Sequence, residues 1–391
     1  DYMLYVRDNT LQSFDWDQIV VKNYQAWFDH QIALGKKRPV LYLYFPAAMT
    51  VWGYAPTLLY TNGDYEYGKT ATSYTNGAGI QNPTGIVSAS QFRLLGLRYK
   101  NATETLTAQT PQLHESSPKG SYAGVSIYGN TTENNRLTIT AGTHTAARAG
   151  YTIAKNGSTK HNTLTITGGT VGADLFGARA TGLARENEVQ IESAVTGAVT
   201  GASSTGASAV ENAVVVRADV AGSVTGGAAL HNASANRVEI TGAVIAGDVT
   251  GGSGAQTDDN QILLSGATVT GDVVGGTSAG GTGNTLAIYP GQSAIHDFSG
   301  VQKLRFYLPN DARTSYTPML QLGVATKDIR NLNIGVGFSG SAPVLHGNDV
   351  ISLMKTLPGG TLLTDADITN QIEGTQGVTM RYQFAIRKRG T

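Results

Sequence analysis

One stretch of the chain decides the fold: Asn236-Arg-Val-Glu-Ile-Thr-Gly-Ala-Val-Ile-Ala-Gly-Asp-Val-Thr-Gly-Gly252. Apolar residues follow the asparagine two and four places on, then come a glycine, a Gly-Asp-Val triplet and a glycine pair. The same pattern starts at seven asparagines, spaced by 27, 25, 25, 24, 24 and 24 residues: Asn135, Asn162, Asn187, Asn212, Asn236, Asn260 and Asn284. A fixed period of this length is typical of a repeat architecture, in which each unit stacks on the next.

Each repeat predicts short strands. Leu164 and Ile166 alternate with threonines, which is the period-two pattern of a half-buried strand. A second short strand is predicted at Val244–Val249, and again at Val269–Val273. The glycine pairs, such as Gly251-Gly252 and Gly275-Gly276, are predicted as turns because glycine turns without a side-chain clash.

Stacked repeats predict an all-β fold, a right-handed parallel β-helix (solenoid) with a helix-containing N-terminal cap and a C-terminal β section. Neighbouring coils would lie ~4.8 Å apart, so six steps cover roughly 30 Å. The inward residues then form two columns: Leu137, Leu164, Val189, Val214, Val238, Ile262 and Leu286 in one, and Ile139, Ile166, Ile191, Val216, Ile240, Leu264 and Ile288 in the next. The seven asparagines are predicted to hydrogen-bond the backbone and the asparagine one coil away. Ligand binding is the alternative, but a structural ladder explains all seven at once.

Composition excludes several function classes. Charged residues are 14% of the 391 and the formal net charge is zero, which argues against binding to nucleic acid. With no cysteine, disulfides and thiolate metal sites are impossible, and no cofactor is expected. The chain has no run of 18 apolar residues that would predict a membrane-spanning helix. It starts at Asp1 rather than at a methionine, so we expect a processed piece if the protein is exported.

The chain divides into four predicted segments. Residues 1–38 form an arm with an amphipathic helix from Trp16 to Leu34, and residues 39–115 form an aromatic-rich cap with a strand at Val40–Phe45. Residues 116–300 are the coils, and residues 301–391 are the C-terminal β section. In that section strands are predicted at Val301–Leu308, Met319–Val324, Asn331–Val336, Asp349–Leu353 and Thr379–Ile386. The repeat is expected to break after Asp297.

The aromatic N-terminal segment has two compatible interpretations. A solenoid needs caps, because its open ends expose strand edges. Tyrosine and tryptophan also anchor interfaces and stack on sugar rings, so the segment is a candidate contact surface. The candidate interface residues are Trp16, Val20, Tyr24, Trp27, Phe28, Tyr42, Tyr44, Trp52 and Tyr54.

Taken together, the coils and the C-terminal section resemble the passenger region of bacterial autotransporters, the type V secreted surface proteins. The similarity rests on coil motifs such as Gly271-Asp-Val-Val-Gly-Gly276 and on the stretches Phe306-Tyr-Leu-Pro309, Gly347-Asn-Asp-Val-Ile-Ser-Leu353 and Gly374-Thr-Gln-Gly-Val-Thr-Met-Arg-Tyr-Gln-Phe384. It covers roughly residues 116–391. The resemblance implies a parallel β-helix that is exported and displayed outside the cell. It also implies a C-terminal β-barrel, absent here, which would be the chain's contact with a membrane.

Two patterns are candidates for catalytic or metal sites. Some passengers are proteases with a Gly-Asp-Ser-Gly loop, but the nearest string here, Gly337-Phe-Ser-Gly-Ser341, has Phe338 in place of the acid, so Ser339 is interpreted as a loop serine. Asp248 and Asp272 occupy equivalent positions of neighbouring coils, which would place their carboxylates ~5 Å apart. That distance suits a calcium ion or a glycosidase-like pair, and also two solvated residues at a corner.

Two functions remain from the sequence. The first is a non-enzymatic structural or adhesive protein on a bacterial surface, with like copies of itself or a surface protein or glycan as partner. The second is a polysaccharide-acting β-helix enzyme, either a tail-spike-like glycosidase or a lyase. The second needs clustered charges on one outward face, where the coils supply mainly Arg217, Arg237 and Glu239. We therefore predict a protein that is not an enzyme.

Overall fold

A computed structural model describes residues 2–5, 33, 41–44, 100–101, 103–106, 121–126, 131–144, 146–152, 155–172, 174–341, 343–365, 372–376 and 380–389. The chain divides into two compact units, residues 1–187 and residues 188–391. In each unit parallel strands stack as a β-solenoid, which confirms the predicted all-β, parallel β-helix architecture. The predicted right-handedness and the four segment boundaries remain predictions.

The asparagine sheet is the set of parallel strands that begin directly after the ladder asparagines, together with the strands stacked on them. In residues 1–187 its strands are Thr103–Leu106, Arg136–Ile139 and Thr163–Ile166. In residues 188–391 they are Glu188–Ile191, Ala213–Val216, Arg237–Thr241, Gln261–Ser265, Thr285–Ile288, Lys303–Leu308 and Asn333–Phe338. Both predicted inward columns are confirmed, because every one of their 14 side chains is fully buried.

A second sheet, the long sheet, closes each coil. Its strands are Ser121–Ser126, Ala147–Thr152 and Leu175–Ala180 in the first unit. In the second unit they are Val199–Ser204, Val224–Ala229, Val249–Ser253, Val273–Gly276 and Phe298–Ser299. Very short strands precede the asparagines: Thr132–Glu133, Thr159–Lys160, Ala184–Arg185 and Ala209–Val210.

Corner strands join the asparagine sheet to the long sheet. They are Thr143–His144 and Thr170–Val171 in the first unit, and Val244–Ile245, Thr268–Val269, Ser293–Ile295, Leu320–Leu322 and Met354–Lys355 in the second. The single strand predicted at Val244–Val249 is therefore wrong. The chain turns a corner between Ile245 and Val249, and a Cβ on Gly247 would lie 2.4 Å from Oγ of Ser223 in the preceding coil. The Val269–Val273 prediction fails in the same way.

The glycine pairs do not form turns, which corrects the second local prediction. Gly251 and Gly252 lie inside the strand Val249–Ser253. A Cβ on Gly252 would lie 2.2 Å from the carbonyl oxygen of Ala233 and 2.5 Å from Nδ2 of Asn260. Glycine is needed there because the asparagine side chain occupies the space that a Cβ would take, not because the backbone bends.

Parallel stacking continues beyond the last ladder asparagine. Lys303–Leu308 pairs in register with Thr285–Ile288, and Asn333–Phe338 pairs with Lys303–Leu308. The asparagine period thus ends after Asn284, but the solenoid does not end after Asp297. Leu304 and Phe306 extend the buried columns, with at most 1% of their surface exposed.

The remaining C-terminal predictions have mixed outcomes. Strands occur within the predicted stretches at Leu320–Leu322 and Met380–Phe384, the latter in an antiparallel hairpin with Ile372–Gln376. Thr326–Asp328 pairs in parallel with Thr361–Leu363. The strand predicted at Asp349–Leu353 is wrong, since only Ile351 forms a bridge, to Ser315. The Asp349 carboxylate instead accepts the backbone N–H of His346 at 2.8 Å, which is typical of a turn.

The N-terminal predictions fall mostly outside the described residues. That is true of the Trp16–Leu34 helix apart from Ala33, and of every candidate interface residue except Tyr42 and Tyr44. Those two lie on the strand Leu41–Tyr44, which pairs in parallel with Tyr2–Tyr5. The strand agrees with the prediction at Val40–Phe45, while the contact surface stays a prediction.

Candidate functional site on the outer face of the asparagine sheet

Asn260 shows how the seven asparagines are used. Its Nδ2 donates to Oδ1 of Asn284 at 3.0 Å and to the carbonyl oxygen of Ala233 at 2.9 Å. Its Oδ1 accepts the backbone N–H of Asn236 at 3.0 Å and the Nδ2 of Asn236 at 3.1 Å. The amide therefore links three successive coils, and both of its polar atoms are satisfied inside the protein.

The same link recurs in both units. Asn135 donates to Asn162 and Asn162 to Asn187, each with 2.8 Å between Nδ2 and Oδ1. Beyond Asn284 the column closes on a different residue, because the backbone N–H of Asn284 donates to Oε1 of Gln302 at 2.9 Å. At most 1% of each asparagine is exposed. The ladder is thus closed to a ligand, and the positions that can meet one lie on the outer faces.

A left-handed residue precedes every ladder asparagine. These residues, with their φ angles, are Asn134 (54°), His161 (52°), Glu186 (54°), Glu211 (57°), Ala235 (55°), Asp259 (54°) and Gly283 (69°). The left-handed backbone turns the chain sharply at this corner and directs the next side chain inward. Glycine, asparagine, aspartate and histidine are the residues that favour such a conformation, so Ala235 and the two glutamates give no signal in the sequence.

Asp248 and Asp272 belong to a second, exposed ladder. The backbone N–H of Asp248 donates to Oγ of Ser223 at 3.1 Å, and that of Asp272 donates to Oδ1 of Asp248 at 2.8 Å. Oδ1 of Asp272 lies 2.7 Å from Nδ1 of His296. Each carboxylate therefore already has a partner in a neighbouring coil. Within the described ranges, no group of three or more His, Asp or Glu side chains is placed to hold a metal ion.

Ser339 directly follows the strand Asn333–Phe338. Its backbone N–H donates to the carbonyl oxygen of Leu308 at 2.8 Å, so it continues the pairing of the asparagine sheet. The three charged residues that the sequence points to on the coils are also engaged. Arg217 pairs with Glu192 one coil away, and Nη2 of Arg237 lies 2.9 Å from Oε2 of Glu239.

Two tyrosines stack on the outer face of the asparagine sheet. The rings of Tyr289 and Tyr307 have centroids 4.6 Å apart and planes inclined by 16°. Burial raises the pKa of the Tyr289 hydroxyl, and the neighbouring Tyr307 adds to the shift. The alternation of the strands also turns Leu263 and Ala287 outward, yet they are only 9% and 5% exposed. The apolar side chains of Leu263 and Ala287 and the stacked tyrosine pair thus lie on the same outer face.

Arg305 lies next to this pair and is held in one orientation. Its Nη1 donates to the carbonyl oxygens of Asn333 and Leu304 at 2.6 and 3.2 Å, and its Nη2 donates to Oδ1 of Asn333 at 2.7 Å. The sequence patterns did not single out Tyr289, Tyr307 or Arg305. One signal is present in the sequence, since both tyrosines directly follow the second inward residue of a coil, where the other coils carry Thr, Glu, Arg, Ser or Gly.

A second aromatic and cationic cluster lies on the long sheet of the first unit. The Arg148 guanidinium is 5.0 Å from the centroid of the Tyr151 ring and 5.5 Å from that of Phe176, and Arg179 is 5.8 Å from Phe176. The register places Arg148 beside Phe176 and Tyr151 beside Arg179. Cation–π contacts of this kind hold the side chains against one another.

Among the described residues, no helix is both long and apolar enough to cross a membrane. No protein-family model, curated protein or solved structure matches the chain.

Proposed function

We propose that the chain is a non-enzymatic structural and adhesive β-helix protein, displayed on or released from a bacterial surface. It binds a surface protein or glycan through its outer faces and associates with like copies of itself. The autotransporter-like coil motifs and C-terminal stretches motivate the bacterial surface location.

The main support for this proposal is that the regularly spaced polar side chains form hydrogen bonds between neighbouring coils. The buried asparagines and the Asp248–Asp272 pair bond from coil to coil, so they serve the stacking. In residues 188–391 seven parallel strands then present one broad outer face, about six steps or ~29 Å along the stacking direction. A wide, regular face of mixed polar and apolar residues suits surface contact better than it suits the enclosed pocket that small-molecule binding uses.

Adhesion is tested by coating beads with the full chain or with albumin and passing both over host-cell layers, bacterial cells and immobilised polysaccharides. Retention of the coated beads above the albumin beads on at least one surface is expected. Equal retention on all of them would remove the adhesive part of the proposal.

Self-association and the absence of catalysis need separate assays. Deleting residues 1–38 should reduce the particle size measured by light scattering, and an unchanged size argues against assembly through that arm. Incubation with bacterial and plant polysaccharides should release neither reducing ends nor unsaturated products. Their release would favour the glycosidase or lyase alternative.

A further inference from the structure

We propose that the outer face around Tyr307 and Arg305 is a binding site for an acidic sugar unit of a polysaccharide. This inference rests on the proposed adhesive function and names its ligand class. The site consists of the stacked pair Tyr289 and Tyr307, the fixed Arg305, and the glycines 335 and 337 of the next strand.

One side of the aromatic part of the site faces the next described strand, which places no side chain over it. Tyr307 is in register with Gly337, which has no side chain to cover the ring from the next strand. A Cβ on Gly337 would lie 3.1 Å from Cε1 and 3.2 Å from Cδ1 of Tyr307. Tyr289 covers the ring from the other side, so the stack is rigid and ends at Tyr307. A rigid aromatic ring with an open side is the surface on which the apolar C–H side of a sugar ring packs at little entropic cost.

Arg305 supplies directed hydrogen bonds beside this ring. A guanidinium has five N–H donors, and the bonds to Leu304 and Asn333 occupy both on Nη1 and one on Nη2. Toward the described residues the Nε–H and the second Nη2–H make no hydrogen bond, and they lie on the same side of the planar group. Such a pair fits the two oxygens of one carboxylate. Because Asn333 holds the guanidinium, little side-chain entropy is lost on binding.

The local charge favours an acidic sugar over a neutral one. Lys303 lies two residues before Arg305 on the same side of the strand, ~7 Å away, and is exposed. The acid Glu239 on this face is already paired with Arg237. The positive charges of Lys303 and Arg305 therefore face the ligand, and a uronic acid combines the carboxylate that they bind with the ring that Tyr307 binds.

The test is affinity electrophoresis of the full chain in gels containing polygalacturonate or dextran. The wild-type chain should be retarded by polygalacturonate and not by dextran. Tyr307→Ala and Arg305→Gln should each weaken the retardation about tenfold, as expected for one lost aromatic contact or one charge-assisted pair. Tyr316→Ala is the control, because Tyr316 is an exposed tyrosine of the second unit (59%) that belongs to no strand of the asparagine sheet.

Two glycine-to-alanine substitutions distinguish a variant whose site is blocked from one that is misfolded. Gly337→Ala places a methyl group against the Tyr307 ring, 3.1 Å from Cε1, and should weaken binding. Gly280→Ala meets no atom of the described residues within 4 Å and should not. Circular dichroism spectra that match the wild type establish that each variant is folded.

The outcomes separate this inference from the proposed function. No retardation of the wild type by polygalacturonate, equal retardation by dextran, or binding that survives Tyr307→Ala and Gly337→Ala would overturn the site, while bead retention on cells would still support adhesion. Cleavage of polygalacturonate would overturn the non-enzymatic function, yet loss of binding in the Tyr307 and Gly337 variants would still support the site.

Discussion

Replacing Asn260 with alanine tests the buried ladder most sharply. The substitution removes four side-chain hydrogen bonds. Three buried groups then lose the Asn260 side chain as their hydrogen-bond partner. They are the backbone N–H of Asn236, one N–H of the Asn236 side-chain amide, and the carbonyl oxygen of Ala233. An unsatisfied buried polar group costs ~1–3 kcal/mol, so the three together set a range of about 3–9 kcal/mol. A water molecule entering the vacated space would restore part of this, so we expect a loss of about 3–5 kcal/mol.

The measurement is urea unfolding followed by far-UV circular dichroism, with Asn310→Ala as control. Asn310 is exposed at a turn, and such surface substitutions usually change stability by no more than ~0.5 kcal/mol. Asn260→Asp adds a second test, because its buried carboxylate would face the Ala233 carbonyl oxygen and desolvation would raise its pKa. Its destabilisation should therefore shrink as the pH falls and the acid is protonated. A loss below ~1 kcal/mol for Asn260→Ala, or one equal to that of Asn310→Ala, would refute the reasoning.

Three further predictions concern a glycine inside a strand, a left-handed residue at a coil corner and one ion pair. Gly252→Ala should destabilise the protein by ~3 kcal/mol in urea unfolding because of its 2.2 Å approach to the Ala233 carbonyl oxygen, while the unhindered Gly280→Ala should have little effect; equal losses would contradict the role of Gly252. Ala235→Gly should raise the thermal midpoint, since the left-handed φ of 55° costs alanine ~1–2 kcal/mol and the greater chain entropy of glycine offsets only part of the gain; a lower midpoint would argue against strain. The hydrogen bonds from Arg330 lower the pKa of Asp328 to about 2, below the ~3.9 of an unfolded chain, so the pair stabilises the fold above pH ~4 and is lost as the pH falls towards 2. Asp328→Asn should make the acid-induced loss of stability over that window shallower, whereas Asp311→Asn should not.

The sequence predicts the periodic part of the fold well. The two buried columns that begin at Leu137 and Ile139 are predicted from the spacing of apolar residues alone, because the period-two pattern indicates which side of a strand is buried. The stacking of Lys303–Leu308 was not expected to continue the solenoid, because it follows Asn284 after an irregular spacing that ends in Gln302 instead of asparagine.

Local backbone geometry was harder to predict. The conformational freedom of glycine predicts a turn at Gly252, whereas the structure needs a glycine there because the Asn260 side chain approaches closely. The requirement for a residue without a side chain arises only when the two strands and the asparagine ladder are packed together. The local sequence therefore does not reveal it. The Tyr289–Tyr307 pair is likewise created by the register between coils, which brings residues of different spacing together.

The account rests on in-register parallel stacking, and distances between spin labels test it directly. The protein has no cysteine, so Glu188→Cys can be combined in turn with Thr285→Cys, Lys303→Cys and Asn333→Cys, which lie four, five and six register steps away. Pulsed electron paramagnetic resonance should give distances that rise by ~5 Å from one pair to the next, from roughly 19 to roughly 29 Å between backbones. Distances that do not rise in this order, or that differ between successive pairs by much more than ~5 Å, would contradict the solenoid.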